Sequence, residues 1–154
     1  MVIREAGILF RGFTLVKKSY HKSTKGKIDR DLRSALLTAL LDFAQSTFSQ
    51  GTTVEYFEGK KYIITFLEDE IIAEDSLEPE PLLSYVILDK EKKADKYIYK
   101  VIQPFLKVVL KEFKSLNNGK NLSEISRFKG FKQNLDKILG SDTHSIDQKF
   151  KGIL

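Results

Sequence analysis

Side chains able to do chemistry are sparse in this sequence. Cysteine is absent, and the two histidines, His21 and His144, lie far apart in the chain. That removes thiol nucleophiles, thiolate-bound zinc and Cys/His dyads. A phosphate-cradling loop needs Gly-x-x-x-x-Gly-Lys followed by Ser or Thr, because backbone N–H groups wrap the phosphates while Lys and hydroxyl meet their charge and metal. Gly119-Lys120 is followed by Asn121 and has Lys114 where the first Gly belongs; Gly26-Lys27 is followed by Ile28 and has His21 there. Glu68, Asp69, Glu70, Glu74, Asp75, Glu78 and Glu80 crowd one stretch without a Lys or Arg among them. Carboxylates at that density suit a hard cation, but the Asp/Asn/Gly spacing of a calcium loop is missing, and a solvated loop over 68–81 is expected. The residues thus assign no catalytic, cofactor-binding or metal-binding position, and no enzyme is expected.

One string imitates a nucleic-acid motif. Arg11-Gly12-Phe13-Thr14-Leu15-Val16-Lys17-Lys18 begins like an RNA-recognition signature, which places aromatics at its third, fifth and eighth positions to stack on bases. Only Phe13 meets that need; Leu15 and Lys18 do not, so no specific nucleic acid is expected.

The elements that position these residues follow from length and patterning. A chain of 154 residues, 42% apolar and 31% charged, fits one globular domain with its own core. The formal charge of +5 is uneven, since the acids of 68–80 leave the rest of the chain strongly basic. Such a body suits an acidic partner or an anionic lipid surface, and equally a set of solvated helix faces. Arg4 and Glu5 interrupt any apolar signal core at the start, and no run approaches a membrane span.

Two apolar runs, 3–10 and 13–20, flank Arg11-Gly12, a two-residue hairpin turn with Phe10 opposite Phe13, Ile8 opposite Leu15, and Val16 with Tyr20 on the other face. A second hairpin joins 53–57 to 60–67 through Glu58-Gly59, with Phe57 opposite Lys60, and Leu82–Leu88 reads as a central strand. Both sheet faces are apolar, which predicts cover on two sides. A helix is predicted from Asp95 to Leu116, with a kink or break at Pro104. Asn117-Asn118-Gly119 stops it. Asn121 and Glu124 resemble a capping box that opens a last helix to Gly140, with Leu122, Ile125, Phe128, Leu135 and Ile138 inward. Residues 1–140 form the domain, and 141–154 are expected to be a mobile tail.

The stretch 29–49 has more apolar surface than one contact needs. Leu32, Leu36, Ala39 and Phe43 form one helical stripe; Leu37, Leu41, Ala44 and Phe48 form a second on a neighbouring face. The first is assigned to the core. The second, with Val54 and Tyr56 on the strand after it, is assigned to a partner or dimer interface; cover within one chain is the alternative.

The order β-β-α-β-β-β-α-α resembles the longin domain of the longin/roadblock, profilin-like superfamily. The resemblance rests on the opening strands 5–10 and 13–20, on Asp29-Arg-Asp-Leu-Arg-Ser-Ala-Leu-Leu-Thr-Ala-Leu-Leu-Asp-Phe-Ala, and on Val54-Glu-Tyr-Phe-Glu-Gly-Lys-Lys-Tyr-Ile-Ile and Leu83-Ser-Tyr-Val-Ile-Leu-Asp. The 29–44 string looks like the first helix of archaeal longin-like and roadblock-like proteins associated with small GTPases. The resemblance implies an α+β fold (an α/β sandwich): a five-stranded antiparallel longin-like sheet with helices on both faces. It also implies a non-catalytic, cytoplasmic scaffold or regulator of a small Ras-like GTPase or a membrane-trafficking complex, acting as a homo- or heterodimer without cofactor. The alternative is a peripheral membrane adaptor or coat-subunit-like protein binding anionic lipid through Lys90, Lys92, Lys93, Lys96 and Lys100.

Overall fold

The structure, a computed structural model, describes residues 3–20, 54–58 and 62–139. Five strands, β1 (Ile3–Phe10), β2 (Phe13–Ser19), β3 (Val54–Glu58), β4 (Tyr62–Ile71) and β5 (Glu80–Asp89), lie in the order β2-β1-β5-β4-β3, every neighbouring pair antiparallel. The helical part comes next: α1 (Ala94–Tyr97), a π-helical turn (Ile98–Ile102), α2 (Gln103–Asn117), a 3-10 turn (Ile125–Phe128) and α3 (Phe131–Leu139).

The expected α/β sandwich is corrected by this arrangement. In place of β-β-α-β-β-β-α-α with helices on both faces, the described residues form a small α+β fold, an antiparallel sheet followed by two principal helices, α2 and α3. Four strands, β1, β2, β4 and β5, are described with their side chains, and β3 extends them at the β4 edge through backbone pairing. The 29–49 stretch expected as the first helix lies outside the described residues. Helix is also scarcer beyond residue 117 than the apolar spacing predicts. The Asn121 side-chain oxygen accepts the Ser123 N–H at 2.8 Å, closing an Asx turn where a helix was expected to open. Only a 3-10 turn intervenes before α3 starts at Phe131.

Alternation along the strands sorts their side chains onto two faces. Ala6, Ile8, Phe10, Ile63, Leu67, Leu82, Val86 and Leu88 join Ile102, Leu106, Val109, Phe113 and Leu135 in one core. Phe113 centres its helical side, 5.4 Å from the Phe128 ring and 5.3 Å from Phe131, the latter edge-on. The other face buries Leu9, Ile64, Phe66, Leu83, Tyr85 and Ile87 just as fully.

Two local irregularities set the final register. The Phe10–Phe13 pair is present, but a bulge at Leu15 puts Val16, not Leu15, opposite Ile8, and so turns Val16 onto the α2 side. Pro104 cannot donate the helical hydrogen bond, which costs about 3 kcal/mol in a helix interior. The helix avoids that cost by opening a π turn just before it: Gln103 N–H bonds to the Ile98 carbonyl, and Pro104 falls in the first turn of α2, where a missing N–H is harmless. The inserted residue rotates the rest of the helix, so Leu106 and Leu110 are buried while Val101 and Phe105 are half-buried.

Candidate interaction surface

β3 ends the sheet, bonded to β4 on one side with no described strand on the other. An edge of this kind leaves a row of N–H and C=O groups for another chain. Val54 lies opposite Leu67 and Tyr56 opposite Thr65. Phe57 pairs with Ile64, four residues beyond the Lys60 expected from a two-residue turn. Four is even, so the shift preserves the parity of the pairing. The other members of the proposed interface, Leu37, Leu41, Ala44 and Phe48, lie outside the described residues, as does the tail 141–154.

The lysines of the alternative surface sit where the chain leaves β5 and enters the helical run. Lys90, Lys92, Lys93, Lys96 and Lys100 are all exposed, and Tyr99 stands exposed among them. Lys93 takes a positive φ of 67° to turn the chain into α1. Glu91 and Asp95 interleave with the lysines, which dilutes their field. Among the described residues no helix is long and apolar enough to cross a membrane.

The acidic stretch is not one loop. β4 continues to Ile71 and β5 opens at Glu80, so only 72–79 connects them, and Glu68, Asp69 and Glu70 belong to the strand. Arg11, at the β1–β2 turn, gathers the connection: its Nε lies 2.8 Å from Glu80 Oε1, its two Nη atoms bond both Asp75 oxygens, and its guanidinium stacks 4.8 Å over the Phe10 ring. This pairing holds the Asp75 and Glu80 carboxyls below the usual carboxylate range. The opposite holds at Glu68, which is buried with Oε1 lacking a hydrogen-bond partner; desolvation, then the nearby Glu70, push its carboxyl up to about 7. Among the described residues no three metal-ligating side chains gather.

Sequence reasoning missed a further surface, at the other sheet edge. Phe13 is 65% exposed and Ile125 48%, although Ile125 was expected inward. They flank hollows along β2. The residues that line them come from distant parts of the chain, so local spacing carries no signal of this surface. No protein-family model matches this chain, and no curated protein sequence matches it.

Proposed function

We propose that this chain is a non-catalytic interaction and dimerisation module, a scaffold or regulator for a small Ras-like GTPase or a trafficking complex, working in the cytoplasm. The observation that carries the reading is β3: a sheet edge with no described strand beyond it, which succeeds, in sequence, a segment with two apolar stripes. An apolar stripe beside unpaired strand groups is the composition of a subunit interface. The resemblance of residues 3–139 to longin domains supplies the class of partner. Light scattering on the full chain tests the dimer. A dimer that Leu41→Asp converts to monomer supports it, and a monomer at high concentration, unchanged by Leu41→Asp, ends it. Nucleotide exchange and hydrolysis by Ras-like GTPases, measured with and without the protein, test the partner.

A second reading, a peripheral adaptor on anionic lipid, is favoured by the exposed lysines at 90–100 around Tyr99, since an aromatic among lysines suits a headgroup layer. Absence of vesicle binding at low salt ends it, because polybasic attraction is strongest there.

A further inference from the structure

The edge opposite β3 is β2, and it too has no described strand beyond it. A groove of about 330 Å³ runs between residues 14–17 of β2 and Ile125, Phe128, Lys129 and Lys132. At Leu15 and Ile125 it joins a second hollow of about 220 Å³ that reaches Phe13 and Leu122. The floor is apolar and the rim is cationic. Lys17, Lys129 and Lys132 line the groove, and among the described residues none of them forms an ion pair; Lys18, the neighbour on β2, is already paired with Asp136.

We propose that this groove receives an extended segment of a partner protein in which apolar residues alternate with Asp or Glu, added as a further strand on β2. Three features select that occupant. The edge, with no described strand beyond it, supplies main-chain donors and acceptors, which only an extended backbone satisfies in series. The period of two along such a segment turns every second side chain toward the apolar floor of the groove. Unpaired lysines with no acid among them complement carboxylates. A bilayer, being flat and far wider, does not enter a groove of about 330 Å³.

The chain's own acidic loop is a poor occupant. Its Asp75 and Glu80 are committed to Arg11, and its backbone is tied to the end of α2, with Gly119 N–H on the Ile72 carbonyl at 2.6 Å and Glu74 N–H on the Lys120 carbonyl at 2.8 Å. The bulge at Leu15 serves selectivity here. It twists the edge away from flat pairing, so a strand lacking the groove contacts gains little.

This inference rests on the reading of the chain as an interaction module and adds a surface separate from residues 37–56. The test uses the full chain and a fluorescein-labelled peptide, Glu-Val-Glu-Leu-Asp-Val-Glu, followed by anisotropy at low salt and by backbone amide shifts. Expected are saturable binding, shifts centred on residues 13–17, and at least about a tenfold loss of affinity in Lys129→Glu/Lys132→Glu. Both lysines are exposed, so an unchanged melting curve shows that the variant is folded. A peptide with Lys in place of each acid does not bind. The proposal is overturned by absent binding, by equal affinity for the double variant, or by shifts elsewhere. It is overturned in favour of lipid if phosphatidylserine vesicles bind through these lysines and the peptide does not compete. Self-association abolished both by the double variant and by Leu77→Asp, a change at the exposed Leu77 of the acidic 72–79 connection that a second copy would insert, overturns it in favour of a second copy. Peptide binding by a protein that light scattering finds monomeric leaves this inference standing and removes only the dimer.

Discussion

The Tyr85 hydroxyl donates a 2.7 Å hydrogen bond to Glu5 Oε2 inside the sheet face opposite α2, both residues being almost wholly buried. The two come together across Gly7, which is paired with Tyr85 in the β1–β5 ladder. A Cβ at Gly7 would stand 2.7 Å from the Tyr85 hydroxyl oxygen and 2.6 Å from the Val16 carbonyl. The glycine is thus the space in which the tyrosine ring lies, and the ring delivers its hydroxyl to the buried Glu5 side chain.

Gly7→Ala is expected to cost about 2–3 kcal/mol, because one of its clashes is with backbone that cannot rotate away. Tyr85→Phe removes one partner of Glu5 and keeps the ring, and is expected to cost about 1–2 kcal/mol. Urea unfolding of both variants checks the order: the alanine, which adds a single methyl group, is the more damaging.

The face each side chain takes on β1, β4 and β5 was legible because it follows from period-two alternation, which survives small errors. The β3–β4 register shows this. An error of four residues left the parity of the β3–β4 pairing unchanged. The bulge at Leu15 was not legible, since one extra residue changes parity and nothing in Thr14-Leu15-Val16 announces it. Pro104 announced a disturbance in the helix but not its form; a π turn inserts a residue, and only the later phase of Leu106 and Leu110 shows that this happened. At the candidate surfaces, the β2 groove was invisible. Its floor joins Leu15 to Ile125 and Phe128, far apart in the chain, and local patterning carries no such pairing.

Glu68 gives the stability a pH dependence opposite in sign to that of ordinary acid denaturation. Its carboxyl, raised to about 7 from 4.5 by desolvation and then by Glu70, binds its proton more tightly in the folded chain than in the unfolded one. Between those values the native state holds the extra proton, so this contribution is full below about 4.5 and is lost as pH rises through about 7. Glu68→Gln carries no charge at any pH. It is expected to match the parent near pH 4 and to exceed it by about 1 kcal/mol at pH 8, with urea midpoints at the two pH values as the measurement.

Arg11 is expected to control access to the 72–79 connection more than global stability. Leu77 at its tip is fully exposed, and the tip is held through Asp75 and Glu80 on one guanidinium. Arg11→Met keeps an apolar stem over Phe10 and removes every charged bond to the loop. Thermolysin at pH 7 is expected to cleave before Leu77 about threefold to tenfold faster in the variant, while the melting temperature barely moves, because surface ion pairs contribute little to global unfolding. Both carboxyls are held below their ordinary range by Arg11, so the clamp is intact above that range and is lost as pH falls through their lowered values. The difference between parent and variant in pepsin cleavage should therefore narrow toward the acid end of a pH series. A large difference persisting there would show that Arg11 holds the loop by its packing on Phe10 and not by charge.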